Sequence, residues 1–191
     1  DRTLEAIGRK HTAKEVGEAF ELARPFGFVT NCDLIAGLTG ESLEEFCGSI
    51  DSAVALSPDN ITVHTLCLKK GARLKEEVES LKEGDMGEMI AYAREKLTAA
   101  GYEPYYLYRQ KYMAGAHENT GWTKPGRASV YNIDVMEETA DNFAVGANAV
   151  TKKVFLKEGR IERIGSPKDL PTYLDKTEKL IEEKRELFSR S

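Results

Sequence analysis

The segment from Asn31 to Glu41 constrains the fold of this chain most, because its pattern predicts a strand, a glycine turn and the start of a helix. It follows the apolar run 28–30 and leads into a helical pattern over 42–56. Asn31 and Asp33 stand two residues apart, so on a strand they share one face. A carboxylate buried without a partner is costly, so Asp33 either has a structural partner or faces a ligand. The carboxyl end of a parallel strand favours the ligand.

Strands and helices alternate along the first half of the chain. Thr12 and Glu15 form a capping-box pattern before the first helix, and Ser42 caps another. The patterns predict helices over 13–23, 42–56 and 85–100, strands over 28–35, 61–68 and 102–108, and a charged surface loop with some helix over 69–83. This order predicts right-handed crossovers, a parallel sheet and the α/β class. The polar face of the first strand favours a barrel interior, although a doubly wound sheet fits the same pattern.

The second half of the chain has a different character. Residues 109–127 are rich in Gly, Asn, Tyr and Lys without a hydrophobic period, which is typical of a long functional loop. Beyond it we predict a helix over 131–139, a small-residue turn over 145–150, a hairpin over 153–164, a short helix over 167–174 and a charged helix over 175–188. We therefore predict two domains, 1–108 and 109–191.

Composition excludes several classes of protein. The chain has 191 residues, of which 41% are hydrophobic and 31% charged, and its net charge of −5 argues against a nucleic-acid surface. No apolar run approaches the length of a membrane span. Three widely spaced cysteines, Cys32, Cys47 and Cys67, indicate reduced thiols and a cytoplasmic protein. Because the chain begins at Asp1 within an apparent helix, we expect a fragment that lacks an amino-terminal portion.

Three motifs resemble the oxygen-independent coproporphyrinogen III oxidases (coproporphyrinogen dehydrogenases), a family of radical S-adenosylmethionine enzymes. They are Ala6–Thr12, Asp33–Glu41 and Gly146–Val150, and the segment Tyr108–Trp122 resembles the substrate side of one branch of the family. The resemblance implies the carboxyl-terminal part of a partial (β/α) TIM-like barrel with a small α+β extension. It also implies oxidative decarboxylation of coproporphyrinogen III to protoporphyrinogen IX in porphyrin and haem biosynthesis.

The same resemblance implies a cofactor site. Arg9, Asp33, Leu66 and Val150 match positions that contact S-adenosylmethionine in the family. From the residues alone, Asp33 agrees with this assignment, whereas Leu66 fits core packing equally well. Thr39 replaces the usual proline after Gly-Leu, a change that a loop should tolerate.

The implied substrate, a porphyrinogen or haem, carries propionates that need cationic partners. Arg109, Lys111 and Lys124 are the predicted cations, and His117 and Asn119 are the other predicted contacts, although each could equally be a solvated residue. The aromatic side chains nearby, Tyr105, Tyr106, Tyr108, Tyr112 and Trp122, are interpreted as packing at the edge of the core.

No metal site is predicted within the chain, and no catalytic residue is assigned. His11 fits a surface position and His64 an interior polar group, and no two histidines have the spacing of metal ligands. The family's 4Fe–4S cluster requires three closely spaced cysteines, which are absent here, so we expect them upstream and expect the fragment alone to be inactive. The full-length parent would also need an electron donor such as flavodoxin or ferredoxin.

Other functions fit the same residues. A paralogue could keep the radical chemistry and act on another substrate, a relative could bind haem as a chaperone, or the chain could be an inactive remnant. The sequence does not fix the substrate or the oligomeric state.

Overall fold

A computed structural model describes residues 1–67, 83–109 and 117–190, with only the backbone of residues 83–85. The chain divides into two compact units, Asp1–Ser129 and Val130–Ser191. Within the described residues, no helix is both long enough and apolar enough to span a bilayer. The predictions for the charged stretch 69–82 and for Lys111 lie outside these residues.

The described residues of the first unit form four helices and one four-stranded sheet. In chain order it contains α1 (Arg2–Ala6), α2 (Ala13–Ala23), a 3₁₀ turn (Arg24–Phe26), β1 (Asn31–Ala36), α3 (Leu43–Leu56), β2 (Asn60–Thr65), α4 (Glu83–Ala99), β3 (Glu103–Tyr108) and β4 (Asn119–Thr123). The predicted helices and three of these strands are confirmed within a few residues. The predicted capping box of Thr12 and Glu15 forms, and Ser42 caps α3 as predicted and forms a second box with Glu45. The class is therefore mixed α/β.

The sheet is mixed, so the prediction of an all-parallel sheet is wrong. Its strand order is β1-β2-β4-β3, in which β1 and β2 are parallel and β4 runs antiparallel to both β2 and β3. The prediction of an irregular loop over 109–127 is also wrong for Asn119–Thr123. Asn and Gly are unfavourable in strands, and β4 exists because two longer strands flank it.

Only one face of the sheet carries the hydrophobic core of the first unit. Cys32, Leu34 and Ala36 point to this face from β1, whereas Asn31 and Asp33 point to the other. The strand begins at Asn31 and not at residue 28 as predicted, and Phe28 lies before it with 64% of its surface exposed. The core joins the sheet to α3 and α4 through Phe46, Ile50, Ile61, Val63, Met86, Met89, Leu97 and Trp122.

The second unit contains a hairpin and three helices. Its elements are α5 (Val130–Met136), β5 (Val150–Phe155), β6 (Arg160–Gly165), α6 (Leu170–Asp175) and α7 (Thr177–Ser189). The predicted hairpin is confirmed as the antiparallel pair β5 and β6. On α7, Lys184 is buried and its Nζ donates to the carbonyl oxygen of Ala144 at 2.7 Å.

The division between the units falls after Ser129, whereas the predicted domain boundary lies at 108/109. The difference arises because β4 pairs with β2 and β3 and so belongs to the first unit.

Candidate functional site

The face of the sheet opposite the core is lined by polar and aromatic side chains. The strand register places Asp33 beside Thr62, and Thr62 beside Gly121 on β4. Gly121 in turn lies beside Tyr106 on β3. Side chains at paired positions point to the same side of a sheet. We call this surface the polar face and define it by Asn31, Asp33, Thr62, His64, Tyr106, Tyr108 and Gly121.

Gly121 allows Tyr106 to reach across β4. A Cβ atom at position 121 would lie 1.9 Å from Cε1 of Tyr106, so the ring occupies the space above the glycine. The Tyr106 hydroxyl lies 3.1 Å from Oγ1 of Thr62, on the strand beyond β4. Both residues are buried, and a side chain at position 121 would break this contact.

The carboxylate of Asp33 lies at the β1 edge of the polar face. Its Oδ1 accepts a hydrogen bond from Nδ2 of Asn31 at 2.7 Å, and Nε2 of His64 lies 3.7 Å from the same oxygen. His64 and the Asn31 hydrogen bond hold the pKa of Asp33 below its usual value against the effect of partial burial. The side chain is 61% exposed, so the polar face presents a solvent-accessible anion at neutral pH.

His64 connects Asp33 to Tyr108. The Tyr108 hydroxyl lies 3.2 Å from Nδ1 of His64, and the two rings meet edge to face with centroids 6.4 Å apart. Tyr106 stacks beside Tyr108 at a centroid distance of 6.3 Å. The interpretation of His64 as an interior polar group with partners agrees with its 27% side-chain exposure.

Sequence reasoning missed the polar role of the two tyrosines, which it interpreted as packing at the edge of the core. The available signal was their spacing of two residues, which puts both on one face of a strand. Trp122, from the same predicted group, does belong to the hydrophobic core.

The other predicted cofactor residues are Arg9 and Leu66 in the first unit and Val150 in the second. Arg9 is exposed after α1, and its backbone N–H donates to the Leu4 carbonyl oxygen at 2.8 Å. Leu66 is half-buried after β2, and its N–H donates to the Ala36 carbonyl oxygen at 3.0 Å. Val150 begins β5 in the second unit and is 47% exposed. The described contacts of Arg9 and Leu66 do not include Asp33, and the cofactor roles of all three residues stay predictions.

The structure describes the predicted substrate-binding residues Arg109, His117 and Asn119, and their surroundings differ. Arg109 forms an ion pair with Glu118 at 2.8 Å and remains largely exposed. Asn119 is buried, and its Oδ1 accepts a hydrogen bond from the Thr65 backbone N–H at 2.7 Å, so it joins β4 to the end of β2. His117 is half-buried and borders an open depression of about 630 Å³ along α4.

Glu41 is a buried carboxyl that sequence reasoning did not single out. It ends the loop after β1, is 7% exposed, and its Oε2 has no hydrogen-bond partner among the described residues. Burial and the nearby charge of Glu45 raise the pKa of Glu41 to about 7, although Arg2 acts in the opposite direction. Glu41 is therefore poised to change charge near neutral pH.

The described residues do not form a metal site. They contain no group of three histidine, cysteine or acidic side chains with the geometry of metal ligands. Among the described residues, Cys32, Cys47 and Cys67 form no disulfide bond. Burial raises the pKa of Cys32, which opposes formation of the thiolate that binds iron.

Comparison with known proteins finds relatives of two kinds, an oxidase-like protein and heme chaperones. The chain is 37% identical over 96% of its length to the oxygen-independent coproporphyrinogen-III oxidase-like protein HemZ of Bacillus subtilis. It is 29% identical over 96% of its length to the heme chaperone HemW of Haemophilus influenzae and 28% over 85% to that of Escherichia coli. No family model matches the chain.

A solved structure shows the same fold. The chain superposes on the coproporphyrinogen III oxidase HemN of Escherichia coli, described as a radical SAM enzyme, with a TM-score of 0.67 and 16% identity, covering 93% of this chain and 41% of that one. The chain spans 38%, 45% and 40% of the HemZ and the two HemW relatives. The predicted resemblance is confirmed: the chain belongs to the family of oxygen-independent coproporphyrinogen III oxidase-like proteins and corresponds to its carboxyl-terminal part.

Proposed function

We propose that the polar face forms part of an S-adenosylmethionine site in a radical S-adenosylmethionine protein. The observation that carries this proposal is the accessible, anionic carboxylate of Asp33 on the sheet face opposite the core. In the proposed full-length protein, the four-stranded sheet is the carboxyl-terminal part of a partial (β/α) barrel and the polar face lines its interior. Arg9, Leu66 and Val150 are the further proposed contacts.

The chemistry of the polar face fits the nucleoside and amino-acid parts of this cofactor. A carboxylate accepts hydrogen bonds from ribose hydroxyls and from an ammonium group, and charge-assisted bonds of this kind are strong. The stacked rings of Tyr106 and Tyr108 add a flat apolar surface beside the carboxylate. When bound to a 4Fe–4S cluster, S-adenosylmethionine supplies radical chemistry, whereas the residues of this chain bind and orient it.

The described residues do not fit the cluster itself. No described cysteine stands within a set of three ligands, and Cys32 points to the core side of β1. We therefore propose that the cluster ligands belong to a part of the full-length protein outside this chain. For the full-length parent, we also propose that flavodoxin or ferredoxin reduces the cluster and that the protein is cytoplasmic.

The proposed reaction of the full-length protein is oxidative decarboxylation of a porphyrinogen. Arg109, Lys111 and His117 are the proposed contacts for its propionates. The ion pair between Arg109 and Glu118 leaves the guanidinium accessible on one side, which is compatible with exchange of one carboxylate partner for another.

Replacement of Asp33 tests the proposed site. In the natural full-length protein with its cluster reconstituted, Asp33→Ala should weaken binding of S-adenosylmethionine about tenfold or more, because a hydrogen bond to a charged group is lost. Isothermal titration under anaerobic conditions measures the affinity. Asp51→Ala is the matched control, since it removes an aspartate that pairs with Lys96 and Tyr92 on the helices. Unchanged affinity in Asp33→Ala would remove Asp33 from the site.

Haem binding is the second candidate function, favoured by the HemW relatives, which match as much as 96% of this chain. His117 and Arg109 offer a histidine and a cation in one segment of the first unit. Titration with haem, followed by absorbance, separates the two functions. Tight haem binding without cleavage of S-adenosylmethionine in the full-length protein would support the chaperone, and the reverse result would support the oxidase.

A further inference from the structure

Two sets of side chains cross the polar face and meet at one atom, Oδ1 of Asp33. One set reaches this oxygen through a hydrogen bond from Nδ2 of Asn31 at 2.7 Å, and the other through a contact of 3.7 Å from Nε2 of His64. We propose that Tyr108 and His64 are positioning residues that hold this carboxylate so that its other oxygen, Oδ2, is presented to the bound ligand. The inference rests on the proposed function, because it assigns a mechanism to the carboxylate that would bind S-adenosylmethionine. Neither residue needs to touch the ligand for this role.

The first set consists of Tyr108, His64 and Asp33. The Tyr108 hydroxyl lies 3.2 Å from Nδ1 of His64, and Nε2 on the opposite side of the ring lies 3.7 Å from Oδ1 of Asp33. If the hydroxyl donates to Nδ1, the neutral ring carries its proton on Nε2, the nitrogen that faces the carboxylate. Tyr108 therefore selects the tautomer that can donate toward Asp33.

The second set approaches the same oxygen from the other side. The Tyr106 hydroxyl lies 3.1 Å from Thr62 Oγ1, which donates to Oδ1 of Asn31 at 3.3 Å. The contact with Thr62 orients the Asn31 amide with its oxygen toward Thr62. The amide nitrogen Nδ2 therefore faces Asp33 and donates to its Oδ1 at 2.7 Å. The order of donors is consistent along the whole set.

The contacts that Asn31 and His64 make with Oδ1 restrict the rotamers of the Asp33 side chain without burying it. A carboxylate that is 61% exposed would otherwise sample several rotamers, and ordering it would reduce the affinity for a ligand. With Oδ1 held from two sides, Oδ2 keeps its acceptor positions for the ligand. Both sets start from β3, so the stacked pair Tyr106 and Tyr108 links the far strand of the sheet to the binding residue on β1.

Tyr108→Phe removes the hydroxyl and keeps the ring. We expect S-adenosylmethionine to bind the cluster-loaded full-length protein about three- to tenfold more weakly, as expected for loss of one ordering hydrogen bond. In the cluster-free full-length protein, ¹⁵N NMR of His64 should show the Nε2–H tautomer in the wild type and a mixture in the variant. Tyr92→Phe is the control, because it removes a tyrosine hydroxyl that donates to Asp51 on the core side. It should change neither measurement.

A second variant distinguishes the positioning role from a purely structural effect of the substitution. His64→Phe keeps an aromatic ring but removes the donor, so the carboxyl pKa of Asp33, followed by ¹³C NMR, should rise toward its ordinary value. The proposal is overturned if His64 carries its proton on Nδ1, or if both variants leave the affinity and the Asp33 titration unchanged. If Asp33→Ala itself has no effect on affinity, the proposed function fails. If only Asp33→Ala has an effect, the positioning role alone fails.

Discussion

Gly121→Ala is expected to lower the free energy of unfolding of the natural full-length protein by about 2–3 kcal/mol, an amount typical of severe overpacking. The new Cβ would lie 1.9 Å from the Tyr106 ring, and 2.5 Å from two further ring atoms. The ring cannot yield by a small rotation, because its hydroxyl is bonded to Thr62 and both residues are buried. Urea denaturation measures the change, and Gly121→Val should cost more.

A control and a double variant make the result specific to this contact. Gly48→Ala on α3 has open space around the added methyl group, so it should be neutral or stabilising by up to about 1 kcal/mol. In a Tyr106→Ala background, Gly121→Ala should cost little, since the ring is gone. If the two substitutions were instead additive, the ring would not occupy the space above Gly121.

The elements that sequence reasoning located correctly are those specified by neighbouring residues. The capping boxes at Thr12 and Ser42 use contacts three residues apart, so local sequence determines where α2 and α3 begin. The hairpin of β5 and β6 likewise depends on a short turn. Such contacts can be read from a single sequence.

The position of β4 could not be predicted in this way. Its residues pair with β2, about 60 positions earlier, and with β3, and Asn119 and Gly121 interrupt the strand-favouring residues Thr120, Trp122 and Thr123. Asn119, which stays a predicted substrate contact, is buried in the structure and bonded to the Thr65 backbone, a position that follows from the pairing of β4 and not from local sequence. The face on which Asp33 lies could be predicted, because it depends only on the alternation of residues 31–36 along β1.

The relatives do not specify which reaction the full-length protein carries out. Relatives that include an oxidase-like protein and heme chaperones match nearly the whole chain, so the scaffold alone does not specify the reaction. His64 and Tyr108 lie on two different strands of that scaffold, and their partner Asp33 lies on a third.

Glu41→Gln is expected to stabilise the protein increasingly as the pH rises from 5 to 8, by up to about 3 kcal/mol at the upper end. The folded protein holds the pKa of Glu41 at about 7, above the ordinary value of 4.5, mainly because the carboxyl group is buried. Between these two values the unfolded chain ionises while the folded protein stays protonated. The unfolding free energy of the wild type therefore falls with rising pH and levels off above pH 7, whereas glutamine cannot ionise.

The measurement is the difference in unfolding free energy between variant and wild type in urea at pH 5, 6, 7 and 8. Taking the difference removes the contributions of groups that are the same in both proteins. Asp33, whose pKa is lowered from 3.8, stabilises the fold equally across this range, because it is ionised in both the folded and the unfolded protein above pH 5. Glu44→Gln, at an exposed position in the first turn of α3, removes the same formal charge and serves as the control. A difference for Glu41→Gln that did not vary with pH would show that its carboxyl group is ionised in the folded protein throughout. The loop that joins β1 to α3 would then contain a stable buried anion, and the positive charge of Arg2 would have to compensate it.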